Sequence, residues 1–310
     1  MPVKLIQDFA AKYETVYVVE ELDGIIEEHC RNIGVTNIKG KEIFGYIGEL
    51  PQSVIAEKLL GIKKEYTQLE ENIPVRPPVM CPGCPHRGVF YCLSKNHITV
   101  SGDIGCYPLG AVDTTICMGA SISALHGFNK ARGAEAEHKT VAVIGDSTFM
   151  HSGMTGLVNI AYNNSNSTVI ILDNSITGMT GHQQNPTTGK NLKGDPAAAV
   201  NLEELCRAIG IKRVRVVDPY HLAETEAAIK EELAADEASV IISRRPCALL
   251  KYVKHNPPVA VESDKCVGCK MCMKLGCPAI SMRDGKAVID HTQCVGCGIC
   301  QEQCKIGAIK

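Results

Sequence analysis

Between Cys266 and Cys304 the chain places eight cysteines in two copies of one pattern. The first copy is Cys266-Val-Gly-Cys269-Lys-Met-Cys272, followed by Cys277-Pro-Ala-Ile. The second is Cys294-Val-Gly-Cys297-Gly-Ile-Cys300, followed by Cys304. Three thiolates at this spacing can wrap one face of an iron–sulfur cube, which needs a fourth. Zinc fits poorly: it takes its ligands as two spaced pairs and would leave the third cysteine of each triplet over. A disulfide framework belongs to secreted chains, and the stretch MPVKLIQDFAAKY has no apolar signal segment. Two adjacent [4Fe–4S] clusters move electrons one at a time, so the rest of the chain should make or consume electrons.

In bacterial two-cluster ferredoxins the fourth thiolate comes from the other copy. On that pattern Cys266, Cys269, Cys272 and Cys304 hold one cluster, and Cys294, Cys297, Cys300 and Cys277 hold the other. The repeat departs from the usual form twice. Four residues separate Cys272 from Cys277, and Lys305 stands where proline is usual. Neither departure removes a ligand.

A second chemistry is written in two loops. The apolar run Val141–Ile144 leads into Gly145-Asp146-Ser147-Thr148, and Val169–Leu172 leads into Asp173-Asn174-Ser175-Ile176. Both loops follow expected strands. Together they offer a carboxylate, an amide and small residues that let backbone approach a ligand. Mg²⁺ takes one or two carboxylates, neutral oxygens and phosphate oxygens. A helix expected from Ser152 aims its positive end at the same place. The pair of loops therefore reads as a site for a magnesium-bound diphosphate, although Gly-Asp alone is also a common turn with a helix cap.

The elements that must position these loops alternate through the middle of the chain. Expected strands are Ile98–Val100, Val141–Ile144, Val169–Leu172, Val214–Val217 and Val240–Ile242. Expected helices are Thr115–Lys130, Ser152–Asn163, Leu202–Ala208 and Tyr220–Ala235. Near-continuous Val/Ile strands between helices indicate an α/β fold with a parallel sheet covered on both faces. Ligands bind at the carboxyl ends of such strands. Residues 1–73 read as a small α/β segment, with a strand at Val16–Val19 and helices at 24–31 and 51–60, the last ending at Gly61. Linkers are expected at 63–78 and 251–260, and Asp284-Gly285 should turn a hairpin. The 310 residues carry a net charge of −2, sixteen cysteines and no membrane-length apolar run. These features point to a cytoplasmic metal protein with neither nucleic acid nor membrane as partner.

The stretch GDSTFMHSGMTGLVNIAYNN…VIILDNSITGMTGHQQNP resembles the thiamine-diphosphate signature. With CPGCPHRGVFYCL, SGDIGCYPLG and the dicluster C-terminus, the chain resembles the large (alpha) subunit of the indolepyruvate ferredoxin oxidoreductases along essentially its whole length. The resemblance implies a doubly wound parallel sheet of the thiamine diphosphate-binding, diphosphate type at 74–250. A small N-terminal α/β segment at 1–73 would be the end of a connecting domain, and a ferredoxin-like two-[4Fe–4S] domain would occupy 251–310. It implies Asp146 and Asn174 as Mg²⁺ ligands with the Ile176 carbonyl as a third. Gly145, Ser147 and Thr148 would contact the diphosphate, Ser147 replacing the signature's second glycine. The implied activity is oxidative decarboxylation of an aryl pyruvate, indolepyruvate, to aryl-acetyl-CoA and CO2. Coenzyme A takes the acyl group, and electrons pass through the clusters to ferredoxin. Another 2-oxoacid substrate (pyruvate, phenylpyruvate or a branched-chain acid) and a non-catalytic electron-transfer role are the alternatives.

Related 2-oxoacid ferredoxin oxidoreductases also bind a cluster near thiamine through a CxxC, a Gly-Cys and a later cysteine. Cys81, Cys84, Cys106 and Cys247 match that order. Two readings stay open: a third [4Fe–4S] cluster, or a rigid CPGC turn with Cys106 and Cys247 as small packed residues. Among the histidines, His86 and His182 adjoin family motifs and are candidates for substrate binding or proton relay, whereas His126 and His151 read as packed or capping. Nothing in the chain resembles the family's N-terminal pyrimidine-binding domain. The expectation is a truncated chain or one piece of a split enzyme, inactive alone. It would require the pyrimidine-binding half and the small (beta) subunit.

Overall fold

The computed structural model describes residues 1–65, 72, 73, 75 and 77–310, which form two compact units, Met1–Val75 and Arg76–Lys310. Much of the expected linker at 63–78 lies outside the described residues. In the first unit, α1 (Val3–Ala10), β1 (Val16–Tyr17), α2 (Ile25–Asn32), β2 (Ile38–Lys39), α3 (Lys41–Phe44) and α4 (Gln52–Leu60) follow one another. The strands β1 and β2 pair in parallel. Ala10, Val18, Cys30, Val35 and Ile38 form their small core. Gly61 ends α4 in the left-handed conformation, φ 68°, which is cheap only for glycine.

The second unit contains α5 (His86–Lys95), β3 (Thr99–Gly102), β4 (Thr114–Thr115), α6 (Ala120–Arg132), α7 (Ala134–Glu137), β5 (Thr140–Gly145), α8 (Asp146–Thr148), α9 (Met154–Tyr162) and β6 (Thr168–Asp173). It continues with α10 (Leu202–Ile209), β7 (Arg213–Val217), α11 (Leu222–Leu233), β8 (Ser239–Arg244), β9 (Ile280–Arg283), β10 (Lys286–Ile289) and α12 (Ile299–Gln303). Strands β3 to β8 form one parallel sheet in the order β4-β3-β5-β6-β8-β7.

Strand alternation divides the sheet's side chains between two cores. Val141, Val143, Ile170, Leu172 and Ile241 point to one face, with Phe90 and Leu93 of α5 and Ile229 of α11. Ala142, Ile144, Val169, Ile171, Val240 and Ile242 point to the other, with Ile122 of α6, Leu157 of α9 and Cys206 of α10. The first core continues into the C-terminal module through Val259, Leu275, Ile280, Ile289 and Ile299. That module is packed into the sheet unit rather than hung from it. Its hairpin turns at Asp284 and Gly285, both with positive φ (48° and 76°), the conformation a two-residue hairpin turn requires.

Two helices start elsewhere than the sequence suggests. Thr114 and Thr115 join the sheet edge beside β3, and α6 starts only at Ala120, where the buried Asp103 carboxylate accepts the Gly119 and Ser121 N–H groups. The helical path expected from Ser152 begins instead at Asp146, passes through a π-turn at Phe149–Gly153 and becomes α9. Helix α5 has no counterpart among the expected elements. Gly88 lowers its intrinsic propensity, yet a Cβ there would lie 1.8 Å from the Pro219 carbonyl oxygen, so close packing dictates the glycine. Among the described residues no helix is long and apolar enough to cross a membrane.

Candidate cofactor site and thiolate centres

The loops after β3, β5 and β6 meet at the carboxyl edge of the sheet around a cavity of about 310 Å³. Gly145, Asp146, Ser147, Thr148, Asn174 and Ile176 all line it, as do His86, Cys106 and Tyr107. The strand β5 delivers Gly145 and Asp146; a Cβ on Gly145 would stand 3.1 Å from the Tyr107 ring. Ser175 adopts φ 59°, and this left-handed step between Asn174 and Ile176 turns the loop back at the cavity wall.

Asp146 is 2% exposed. One of its oxygens accepts the Ser147 N–H at 2.8 Å; the other accepts from Asn185 Nδ2 at 3.2 Å and Thr187 Oγ1 at 3.5 Å. Burial, and then the neighbouring Asp173 charge, push its carboxyl up to about 7. No basic side chain pairs with Asp146 among the described residues. A carboxylate so placed fits a divalent cation, which would offset its desolvation. Asn174 adds an amide oxygen that receives only the Ile176 N–H, at 3.3 Å. The donor set therefore fits Mg²⁺, and the amides of the first helical turn at 146–148 fit a diphosphate. Among the described residues no three His, Cys, Asp or Glu side chains gather tightly enough to hold a bare ion by themselves. An ion held at this loop would need further oxygens, which a diphosphate would supply.

His86 lies on the cavity wall, buried, with Nε2 3.4 Å from Asn174 Nδ2. Burial lowers its pKa to about 4, so the ring is neutral and Nε2 serves as acceptor. His182 does not reach the wall: it is exposed, in a turn whose N–H donates to Gly178 O. His151 is exposed beside Ser152, and His126 is half-buried on α6.

The C-terminal thiols fall into two groups, each around its own cavity. Cys266, Cys269, Cys272 and Cys304 line one; Cys277, Cys294, Cys297 and Cys300 line the other, with Pro82, Gly83 and Arg87. Burial, and then the charges of Cys266, Cys269 and Cys304, raise the Cys272 thiol. Cys300 is pushed to about 12 by burial and then by Cys297, Cys277 and Cys294. Such mutually opposed thiolates suit a cationic iron cube, whose own sulfides hold them wider apart than a single ion would.

Cys81, Cys84, Cys106 and Cys247 are near enough for their charges to act on one another. Burial pushes Cys84 up to about 12, with Cys106 and Cys81 adding to it. Cys106 feels Cys247 and Cys81 after burial, and Cys247 feels Cys81. The Cys247 N–H donates to the Asn174 carbonyl at 2.9 Å, which ties this group to the magnesium loop.

Other contributors carry no motif of their own. Arg244 bonds Asp173 at 2.7 Å and Glu203 at 2.8 and 3.0 Å, bracing the loop at 173–176. Asn185 and Thr187 approach Asp146 from a loop beyond β6. For Asp103 there is a signal: Gly102-Asp103 after β3 repeats Gly145-Asp146 after β5, yet it caps α6 instead of facing a cofactor.

Residues 103–243 match the thiamine pyrophosphate enzymes' C-terminal TPP binding domain, and 258–305 match the 4Fe-4S dicluster domain. All of this chain aligns with the indolepyruvate oxidoreductase subunit IorA of Pyrococcus horikoshii at 38% identity, and of Archaeoglobus fulgidus at 36%. It spans 55% and 54% of those proteins, about half their length. The solved 2-oxoglutarate:ferredoxin oxidoreductase of Magnetococcus marinus shares the fold. It superposes with TM-score 0.50 at 20% identity over 57% of this chain and 67% of that one. The chain thus joins a domain of the thiamine pyrophosphate-binding type to a 4Fe-4S dicluster domain. Over its whole length the chain is IorA-like.

Proposed function

We propose that this chain is the diphosphate-binding and electron-delivering part of an enzyme that oxidatively decarboxylates an aryl pyruvate, indolepyruvate foremost. The products are aryl-acetyl-CoA and CO2, and the electron pair leaves singly through the clusters to ferredoxin. One observation carries the reading. Asp146, Asn174 and Ile176 share a cavity wall with Cys106, which feels the Cys81 charge, and the Cys81–Cys84 loop lines the inner dicluster cavity through Pro82 and Gly83. Bound thiamine diphosphate supplies the electron sink for decarboxylation. Asp146, Asn174 and the Ile176 carbonyl hold Mg²⁺ against its phosphates, while Gly145, Ser147 and Thr148 meet the diphosphate. His86 orients the Asn174 amide from behind. Cys81, Cys84, Cys106 and Cys247 hold a third [4Fe–4S] cluster, the first stop for an electron on its way to the C-terminal pair.

Indolepyruvate is favoured because relatives matching the whole chain bear that name. The assembly includes a pyrimidine-binding half and a small (beta) subunit, and the chain alone is inactive. The test mixes the purified chain with both partners and follows viologen reduction with coenzyme A and indolepyruvate, phenylpyruvate or pyruvate. Turnover fastest with indolepyruvate supports the reading. Preference for pyruvate reassigns the substrate, and turnover by the single chain overturns the requirement for partners.

A further inference from the structure

The two C-terminal thiol groups differ in their surroundings. The inner group, around Cys297 and Cys300, is roofed by Pro82, Gly83 and Arg87 of the sheet domain. The outer group, around Cys266 and Cys269, is walled by the C-terminal module alone. There Cys269 is exposed, and Val267 and Ile306 keep 65% and 46% of their surface open. Lys270, Lys274 and Lys305 are exposed beside them in sequence, and none forms an ion pair among the described residues. Three of the module's five acidic side chains are engaged elsewhere, while Asp264 and Asp284 stay exposed. Glu302 accepts the Leu222 and Ala223 N–H groups at the start of α11, Asp290 accepts from Thr292 and Gln293, and Glu262 pairs with Lys265 and Lys310. Residues 262–310 hold seven Lys/Arg against five Asp/Glu, in a chain whose net charge is −2.

We propose that this outer face docks a small acidic electron-carrier protein. The proposal rests on the reading that electrons leave through the dicluster module. Val267 and Ile306 provide an apolar centre that excludes water on contact, and the unpaired lysines around it steer an acidic partner and set its register. One electron passes from the reduced outer cluster to the oxidised carrier; no bond forms or breaks and no proton moves. The competing surface is a cavity of about 540 Å³ beside the inner group, between Tyr220, Arg245, Lys254 and Gly296. It is electrostatically quieter, because Arg245 is already paired with Asp218 and Glu302 lies in its wall.

The full chain, with its clusters loaded, is reduced with dithionite, freed of excess reductant and mixed in a stopped-flow instrument with an oxidised acidic two-cluster ferredoxin. This donor bypasses the thiamine site, so failure here is distinct from failure of the 2-oxoacid reading. The second-order rate should fall about tenfold or more from low to high salt. The triple change Lys270→Glu, Lys274→Glu, Lys305→Glu should slow ferredoxin reduction about tenfold or more at low salt, with the difference closing at high salt. Reduction of a small viologen should be unchanged. A salt-insensitive rate in the unsubstituted chain overturns the proposal, even where the triple variant loses iron. So does a parent-like rate in an iron-replete triple variant, or a loss carried by Lys254→Glu instead. A chain dimer that dissociates on the Lys→Glu changes, with ferredoxin reduction untouched, would assign the face to a second copy and also overturns it.

Discussion

Arg87 and Leu275, 188 positions apart, are joined by a buried hydrogen bond in which Arg87 Nη1 donates to the Leu275 carbonyl at 2.7 Å. The other terminal nitrogen of the same guanidinium donates to the Met80 and Cys81 carbonyls at 2.7 and 3.0 Å. One side chain thus clasps the CxxC loop, the start of α5 and the C-terminal module. Its charge also works to lower the Cys84 and Cys297 thiols, one from each neighbouring group, against the burial that raises them. Arg87→Met should leave the buried Met80 and Leu275 carbonyls unpaired, while Cys81 O keeps the Cys84 N–H, and cost about 2–5 kcal/mol. Thermal unfolding would measure it, with iron content reporting loss from the inner group. Arg87→Lys should rescue little, since an ammonium cannot span acceptors on separate segments as a fork does.

Asp146→Ala in the assembled enzyme should weaken Mg²⁺–thiamine diphosphate binding by about a hundredfold or more, while cluster absorbance stays intact. Asn185→Ala, which removes the bond to Asp146 together with the two that Thr187 donates to Asn185, should cost about tenfold. Calorimetric titration with the cofactor distinguishes the two. Retained binding in Asp146→Ala would show that the magnesium loop is misassigned.

The four thiols at Cys81, Cys84, Cys106 and Cys247 make a statement about iron. About twelve irons per chain are expected, against about eight for the C-terminal clusters alone. The double change Cys81→Ser, Cys84→Ser should remove about four. Iron and sulfide analysis of the anaerobically purified chain decides it.

The helices α5 and α11 are latched by Glu226, which accepts from Lys95 at 2.6 Å, Lys230 at 2.7 Å and Asn96 at 3.1 Å. Burial works to raise its pKa, but the bonds from Lys230, Lys95 and Asn96 prevail and hold the carboxyl at about 2. A carboxyl lowered from the unfolded value of about 4.3 stabilises the fold above that pH, and the contribution fades as pH falls through about 2. Glu226→Gln should therefore cost about 1 kcal/mol at pH 7, and melting curves of variant and parent should converge between about pH 4 and pH 2.

The linear pattern suffices where chemistry is carried by local spacing. The C-x2-C-x2-C triplets, the Gly145-Asp146 and Asn174 loops and the Val/Ile strands are all legible, because thiol reach, strand alternation and loop position are properties of neighbouring residues. The eight cysteines line two cavities, Cys304 with the first triplet and Cys277 with the second. Less was legible where function depends on what comes close from afar. Nothing in the pattern around Arg87 announces Leu275, and nothing near Asn185 announces Asp146. His86 and His182 look equivalent as motif neighbours, yet one lines the cavity and the other faces solvent.

The sequence by itself determined the inventory: two runs of cysteine thiols, a carboxylate and an amide in strand-end loops, and a parallel sheet to present them. The tertiary structure decided the circuit. It set Cys106 on the cofactor cavity, within reach of the charges of Cys247 and Cys81. It then laid Pro82, Gly83 and Arg87 over the inner dicluster group and left the outer group open. The physical reason is that convergence across 150 to 200 residues of chain is a product of shared packing, here one continuous core from β5 to Ile309. No local spacing encodes it.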